Sequence, residues 1–300
     1  MRVVGVAICC LGLLSGLTDA LAAACRNPQA LGTSRTLTIT AAEYPKVGSV
    51  HYPSAVQLPL NDHEIVLTFD DGPLSPYTEQ VLDTLAKECV KATFFLVGRQ
   101  ASAAPALVKR IYNEGHTIGT HSQNHPLTFD QMPFESAQRE IADGISSVTE
   151  ALGDARAVAP FFRTPGFLRI GAAEDYLASQ SISVWSTDAD ADDWYKTATP
   201  QDIVTKAINR LADKKHHGVL LLHDVQPATA LALPLLLTEL KAKGYRIVQV
   251  VPAGRRIALN EKKSARPDNE SWPRAVREQP VRTERRRPAI QWTYGTPRSY

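Results

Sequence analysis

Glu64-Ile65-Val66-Leu67-Thr68-Phe69-Asp70-Asp71-Gly72-Pro73 is the stretch on which the fold turns. Ile65 to Phe69 is a short, largely apolar run, the pattern of a strand buried on both faces in a parallel sheet. Gly72-Pro73 forces a turn directly after it. Two adjacent carboxylates are costly to ionise together unless a cation is near. The order of strand, acid pair and turn places both acids at the carboxyl end of a strand. Taken alone, Asp-Asp-Gly reads equally well as a helix-capping pair in a loop, so the rest of the chain has to decide.

Working outward, strands are expected at Ala92 to Val97, His116 to Gly119, Ala159 to Phe162, Ile182 to Trp185, Gly218 to Leu222 and Tyr245 to Val251. Helices are expected at Tyr77 to Lys87, Pro105 to Asn113, Phe134 to Leu152, Ala172 to Ser179, Gln201 to Leu211 and Ala230 to Lys243. The clearest helix carries Ala137, Ile141, Ile145, Val148 and Leu152 at three- or four-residue spacing. About seven strands alternating with about six helices imply an α/β fold with a parallel sheet. A closed or nearly closed barrel and an open doubly wound sheet both fit. In either, functional residues sit just beyond the carboxyl ends of the strands.

The strand ends carry polar clusters. His121-Ser122-Gln123-Asn124-His125-Pro126 holds two histidines at i and i+4. If that turn is helical, they share a face about 6 Å apart, a spacing that suits two imidazoles on one metal. With one carboxylate from another strand end, two His and one Asp leave open positions for water and substrate. Phe162-Arg163-Thr164-Pro165-Gly166-Phe167 supplies an always-charged fork able to grip a carboxylate. Thr187 to Trp194 contains Asp188, Asp190, Asp192 and Asp193, and lacks the Gly and terminal Glu of an EF-hand loop. Leu221-Leu222-His223-Asp224 ends an apolar strand on a histidine, a candidate general acid or base.

Five strand ends with five polar clusters, in this order, resemble the polysaccharide deacetylase family with the NodB-homology domain (carbohydrate esterase family 4). The resemblance covers roughly Glu64 to Pro252, and Thr-Phe-Asp-Asp-Gly-Pro and His-Ser-x-x-His are its most specific motifs. It implies a distorted (β/α)7 barrel and hydrolysis of N-acetyl groups on a GlcNAc-containing polymer: chitooligosaccharide, peptidoglycan or poly-GlcNAc. It also implies a divalent metal, usually zinc with cobalt as a substitute, held by Asp71, His121 and His125. By the same resemblance Asp70 is the base, Arg163 holds it, His223 is the acid and Asp193 orients His223. Trp194 and Leu221 line the acetyl pocket, and the Gly166 N–H helps stabilise the oxyanion. The chain departs from the family at Arg163-Thr164-Pro165-Gly166-Phe167, where many members read Arg-Pro-Pro-Tyr-Gly. Gly166 stands in the Tyr position, so one groove wall is lost or replaced by Phe167. The extra aspartates leave Asp190 as a rival to Asp193. An O-acetyl esterase of the xylan type and a catalytically silent carbohydrate-binding relative are the competing readings.

The remaining sequence bounds the setting. The chain has 300 residues and 44% hydrophobic content, enough for a real core. The net charge of +2 conceals an asymmetry: residues 254–300 carry roughly +7 and the body roughly −5. The acidic body gives no reason to expect a nucleic-acid binder, and the Pro- and Arg-rich tail reads as disordered. Arg2, the apolar run Val3 to Leu17 and the small residues before Cys25 read as an export signal over 1–24, too short to span a bilayer comfortably. Leu21 lies one residue too far from Cys25 for a typical lipoprotein site, so a periplasmic or secreted chain is expected, without a transmembrane segment once mature. A monomer is expected. Residues 25–60 read as an arm and 61–253 as the catalytic domain. Loss of Cys9 and Cys10 with the signal leaves Cys25 and Cys89 to form one disulfide tying the arm to that domain. His51, His63, His116, His216 and His217 read as surface or structural residues, and Asp224 as a support for the His223 turn.

Overall fold

The computed structural model describes Cys25 and residues 27–254. The signal expected over 1–24 and the tail beyond Gly254 lie outside the described residues. The strands are β1 (Thr33–Ile39), β2 (Lys46–Val47), β3 (Glu64–Asp70), β4 (Thr93–Leu96), β5 (Thr117–Thr120), β6 (Phe161–Phe162), β7 (Ser183–Trp185), β8 (Ala189–Asp190), β9 (Gly218–His223) and β10 (Arg246–Pro252). The helices are α1 (Tyr77–Lys87), α2 (Gly98–Ala103), α3 (Pro105–Asn113), α4 (Phe134–Leu152), α5 (Gly171–Ser179), α6 (Pro200–Asp213) and α7 (Pro227–Ala242). The apolar periodicity places α1, α3 and α4 at their expected bounds. It misses α2, which lacks an apolar stripe, and the two-residue strands β2 and β8.

Every strand pair is parallel, as the βα alternation requires. β3 is the hub. It pairs with β9 over Ile65–Asp70, with β4 over Thr68–Asp70, and with β10 through Glu64 and Ile65. From β4 the ladder runs through β5, β6 and β7 to β2. β8 pairs with β9, and only residues 186–188 separate it from the end of β7. This short crossing, rather than a β7–β9 ladder, bridges the two sides of the sheet.

Strand alternation sorts the core into layers. Ile65, Leu67 and Phe69 of β3 and Leu220 and Leu222 of β9 join Val81, Leu82, Leu85, Leu236 and Leu240 of the helices. The intervening Val66 and Val219 pack with Phe95, Phe161, Trp185, Val248 and Val250 in a second cluster drawn from eight strands. Residues of strands so far apart along the ladder touch only if the sheet wraps around them. Thr68 and Asp70 share the face of Val66, and Leu221 and His223 share the face of Val219. The inner face therefore ends in polar groups at the carboxyl ends of the strands.

The segment read as an arm is woven into the sheet. β1 lies along β10, Ile39, Val47 and Leu58 join the inner cluster, and Cys25 is disulfide-bonded to Cys89. Glu64, the one acid at the start of β3, is buried because Arg35 on β1 donates to both its oxygens, Nε to Oε1 at 3.1 Å and Nη2 to Oε2 at 2.7 Å.

Helix α4 buttresses the loop that follows β5. Glu140 Oε2 accepts the backbone N–H groups of Gln123 (3.1 Å) and Asn124 (2.8 Å), and Oε1 accepts from Asn124 Nδ2 (2.7 Å). Gly144, one turn on, lets the helix approach: a Cβ there would meet the Ser122 carbonyl carbon at 2.6 Å. Glycine weakens a helix interior by about 1 kcal/mol relative to alanine, so its presence reflects this close contact. Gly144→Ala should therefore destabilise the fold, by about 1–3 kcal/mol. Urea unfolding would measure it, and an unchanged or higher midpoint would show that α4 does not bear on the loop.

Candidate active site

Asp70 is the last residue of β3 and 2% exposed. Arg163, one residue beyond β6, is fully buried beside it. Its Nη1 donates to Asp70 Oδ1 (2.7 Å) and Thr68 Oγ1 (2.9 Å), and its Nη2 donates to the Ser186 carbonyl (2.8 Å). The guanidinium carbon lies 4.3 Å from the centre of the Phe95 ring, a cation–π contact. The fork thus joins β3, β6 and the crossing after β7, and one Asp70 oxygen is committed to it.

Asp71 faces elsewhere because its φ of 76° turns the backbone into the left-handed region, unusual for a residue with a Cβ. Its Oδ1 lies 3.5 Å from His121 Nε2 and 3.3 Å from His125 Nε2. Asp70 Oδ2 stands 3.6 Å from His121 Nε2. The His121–His125 segment is not helical. Ser122 and His125 take φ of 62° and 55°, and the Ser122 hydroxyl accepts the His125 N–H at 3.0 Å. This corrects the one-face helical geometry expected from the i, i+4 spacing. The two rings still meet, with centroids 4.8 Å apart, because the folded loop brings them together.

These residues fit a metal. One ligand atom each from Asp71, His121 and His125 lie within 4.8 Å of one another. Asp71 Oδ1 is buried and accepts no hydrogen bond among the described residues. His121 Nδ1 sits 2.6 Å from the Arg163 carbonyl, to which it donates, and this leaves the Nε2 lone pair facing Asp71. Burial lowers the His121 pKa to about 4 against the pull of Asp70 and Asp71, so the imidazole is neutral. For Asp71, burial acts upward, but electrostatic attraction, first from His125 and then from His223, outweighs it and the carboxyl ends below its ordinary value.

His223 ends β9 across from Asp70 in the β3–β9 register. Its Nδ1 lies 2.8 Å from Asp193 Oδ1, its backbone N–H donates to Asp193 Oδ2 (2.7 Å), and the Thr229 hydroxyl donates to the same oxygen (2.6 Å). Burial lowers the His223 pKa, but the Asp193 charge and hydrogen bond, then Asp71 and Asp70, raise it to about 10. The aspartates differ in their partners. Asp190 and Asp192 both pair with Arg210 on α6, and Asp192 also pairs with Lys206. Asp193 alone among them reaches His223.

Trp194 is half-buried with its ring edge-on to His223 at 5.6 Å. Leu221 is buried on the inner face of β9. Gly166 is exposed, and it and Phe167 carry consecutive positive φ of 55° and 56°. The cavity that opens on Asp71 and His125, about 150 Å³, has Leu74, Val97 and Val225 as its apolar walls. The sequence did not single out these three: Leu74 and Val225 are lone apolar residues in loops, and Val97 read as the end of a strand. Asp224 is fully buried and accepts from Thr78 Oγ1 at 2.5 Å. It presses on Gly72, where a Cβ would sit 2.2 Å from Oδ2, and burial raises its carboxyl to about 7. His63 stacks on His216 at 4.6 Å and His116 is buried with Nδ1 3.2 Å from the Ala92 N–H, as structural residues would be.

Comparison with known proteins places the chain in a family. The polysaccharide deacetylase family matches residues 57–177. A peptidoglycan-N-acetylglucosamine deacetylase of Listeria monocytogenes is 37% identical over 213 residues, 68% of this chain and 42% of the relative. The chain thus spans about two fifths of that relative's length. A peptidoglycan-N-acetylglucosamine deacetylase of Bacillus cereus is 35% identical over 204 residues, 65% of this chain and 89% of the relative. Among solved structures, a peptidoglycan deacetylase of Bdellovibrio bacteriovorus superimposes with a TM-score of 0.66 at 26% identity, covering 79% of this chain and 65% of its own. The chain belongs to the polysaccharide deacetylase family.

Proposed function

We propose that the protein is a metal-dependent hydrolase that removes N-acetyl groups from a GlcNAc-containing wall polysaccharide, with peptidoglycan as the polymer. The observation that carries this reading is the division of two adjacent carboxylates: Asp70 is engaged by Arg163, and Asp71 faces two imidazoles. The relatives named as peptidoglycan deacetylases support the polymer. A divalent ion held by Asp71, His121 and His125, zinc or cobalt, would polarise the acetyl carbonyl and acidify a water.

The chain's own residues supply the proton transfers. Asp70, fixed by Arg163, has its second oxygen turned toward His121 Nε2 and accepts a proton from the attacking water. His223, kept protonated by Asp193, gives a proton to the departing amine, which an amide needs because a free amide anion is a poor leaving group. The Gly166 N–H is the proposed donor to the oxyanion, and Trp194, packed on His223, and Leu221 are proposed to flank the acetyl group. Export accords with a wall substrate and with the Cys25–Cys89 disulfide. No helix among the described residues is long and apolar enough to cross a membrane.

Acetate release from peptidoglycan, with metal removed by chelation and then restored as zinc, tests the reading. Activity should vanish and return; unchanged rates after verified metal loss would sink it. Asp70→Asn should lower kcat by about 10²–10⁴ while the bound metal, measured by elemental analysis, stays at the wild-type ratio. Loss of metal with activity would instead make Asp70 a ligand. The pH profile reads His223. Its pKa is raised, so the protonated acid persists through neutral pH and is lost as pH rises through about 10. Asp193→Asn removes the main upward influence and should move the alkaline limb down by about one unit or more. A limb that stays in place would assign the acid elsewhere.

A further inference from the structure

A second cavity, of about 290 Å³, shares no lining residue with the one on Asp71 and His125 and takes no part in the chemistry above. Its walls come from residues 45–46 and 51–56 and from Arg169, and include Lys46, His51 and Tyr52. Contacts connect it to the catalytic residues. The His51 ring lies 5.1 Å from the Phe167 ring, and Phe167 lies 5.9 Å from the guanidinium carbon of Arg163. Loop 48–57 follows β2, which runs parallel to β7, so the cavity is on the carboxyl rim of the sheet with Asp70 and His223.

The cavity is built around one buried acid. Glu174 on α5 is 6% exposed, and its oxygens accept from Lys46 Nζ (2.6 Å), Tyr52 Oη (3.0 Å), Arg169 Nε (2.6 Å) and Arg169 Nη2 (3.2 Å). Two cations share one carboxylate, leaving a net positive charge. Tyr52 does not offset it: burial and then Glu174 raise the phenol well above its ordinary value, so it is neutral. Both cations keep donors to spare. Lys46 uses one of three N–H groups, and Arg169, which also donates to the His51 carbonyl at 3.3 Å and is hydrogen-bonded to the Tyr52 hydroxyl, keeps at least one of five. Their side chains are 40% and 45% exposed, and both line the cavity. Each also stands over the Tyr52 ring, at 5.1 Å and 4.6 Å, which holds the pair in place.

We propose that this cavity is a subsite for a carboxylate carried by the polymer next to the sugar being deacetylated. The inference rests on the deacetylase reading for what the polymer is, and adds that the enzyme selects an anionic wall glycan over a neutral one. Two spare charge-assisted donor groups around a cavity of this size suit a carboxylate, such as a lactyl or peptide carboxylate. Neutral chitin has no group to place there. Phe167 lies between His51 of this cavity and Arg163, the partner of Asp70.

Binding separates this proposal from catalysis. Calorimetry would compare two forms of one N-acetylated wall glycan, with free carboxylates and with the same carboxylates amidated, on the full chain. The wild type should bind the free form about 10-fold tighter. Lys46→Met, which keeps the stem over Tyr52, should bring that ratio below about 2-fold, and Lys46→Arg should retain most of it. Unchanged thermal midpoints of both variants exclude unfolding. Arg169→Gln provides a second variant with the same expected loss. A wild-type ratio near one, or a ratio that survives both Lys46→Met and Arg169→Gln, overturns the subsite. Absence of acetate release from either glycan, with the binding preference intact, would overturn the deacetylase reading and leave the anion subsite standing.

Discussion

The site depends on one buried ion pair, Arg163 with Asp70. Both groups are almost wholly removed from water, and breaking such a pair by removing one partner costs about 3–5 kcal/mol because a buried charge is left alone. The pair is more than local. Arg163 reaches Thr68 on β3 and the Ser186 carbonyl on the crossing to β8, so it joins the strands where the ladder itself is not continuous. It also breaks the symmetry between neighbouring acids. With one Asp70 oxygen taken by the guanidinium, the imidazoles converge on Asp71, and two residues of identical chemistry acquire different surroundings.

The backbone around that pair is shaped by second-layer contacts. Asp71, Ser122 and His125 all carry positive φ, a conformation that side chains other than glycine adopt at a cost. The loop holding the two histidines keeps that shape because Glu140 accepts two of its N–H groups and Gly144 lets α4 lie against it. On the opposite side, Asp224 and Thr78 pack under Gly72, the residue after the acid pair. His223 is oriented by Asp193, itself held by Thr229 at the start of α7. Asp71, the two histidines of the loop and His223 thus lean on helices behind their strands, while Asp70 is held by Arg163 from the end of β6.

Much of this was legible in the sequence, for physical reasons. Ile65 to Phe69 and Gly218 to Leu222 are apolar without alternation because both faces are covered, and α4 declares itself through its 3.6-residue stripe. The polar clusters were legible because parallel strands deliver their carboxyl ends to one rim. The shape of the His121–His125 turn was not: i, i+4 spacing is shared by helices and by loops bent through positive φ, and only the packing of Gly144 distinguishes them. β1 was obscured by its alternating exposure at the sheet edge, and β2 and β8 are too short to have a period. The choice of Asp193 over Asp190 depended on Arg210, twenty residues away in sequence, and the cluster around Glu174 joins residues more than a hundred positions apart.

The central claim is that Arg163 separates the two carboxylates, leaving Asp71 to the metal and Asp70 to the proton. A crystal structure of the zinc-loaded protein, with anomalous density recorded at the zinc edge, tests it directly. The account predicts a single peak about 2.0–2.2 Å from an Asp71 oxygen and from the Nε2 atoms of His121 and His125, with Asp70 outside bonding distance and still paired with Arg163. A peak bonded to Asp70, with Asp71 turned away, would contradict it.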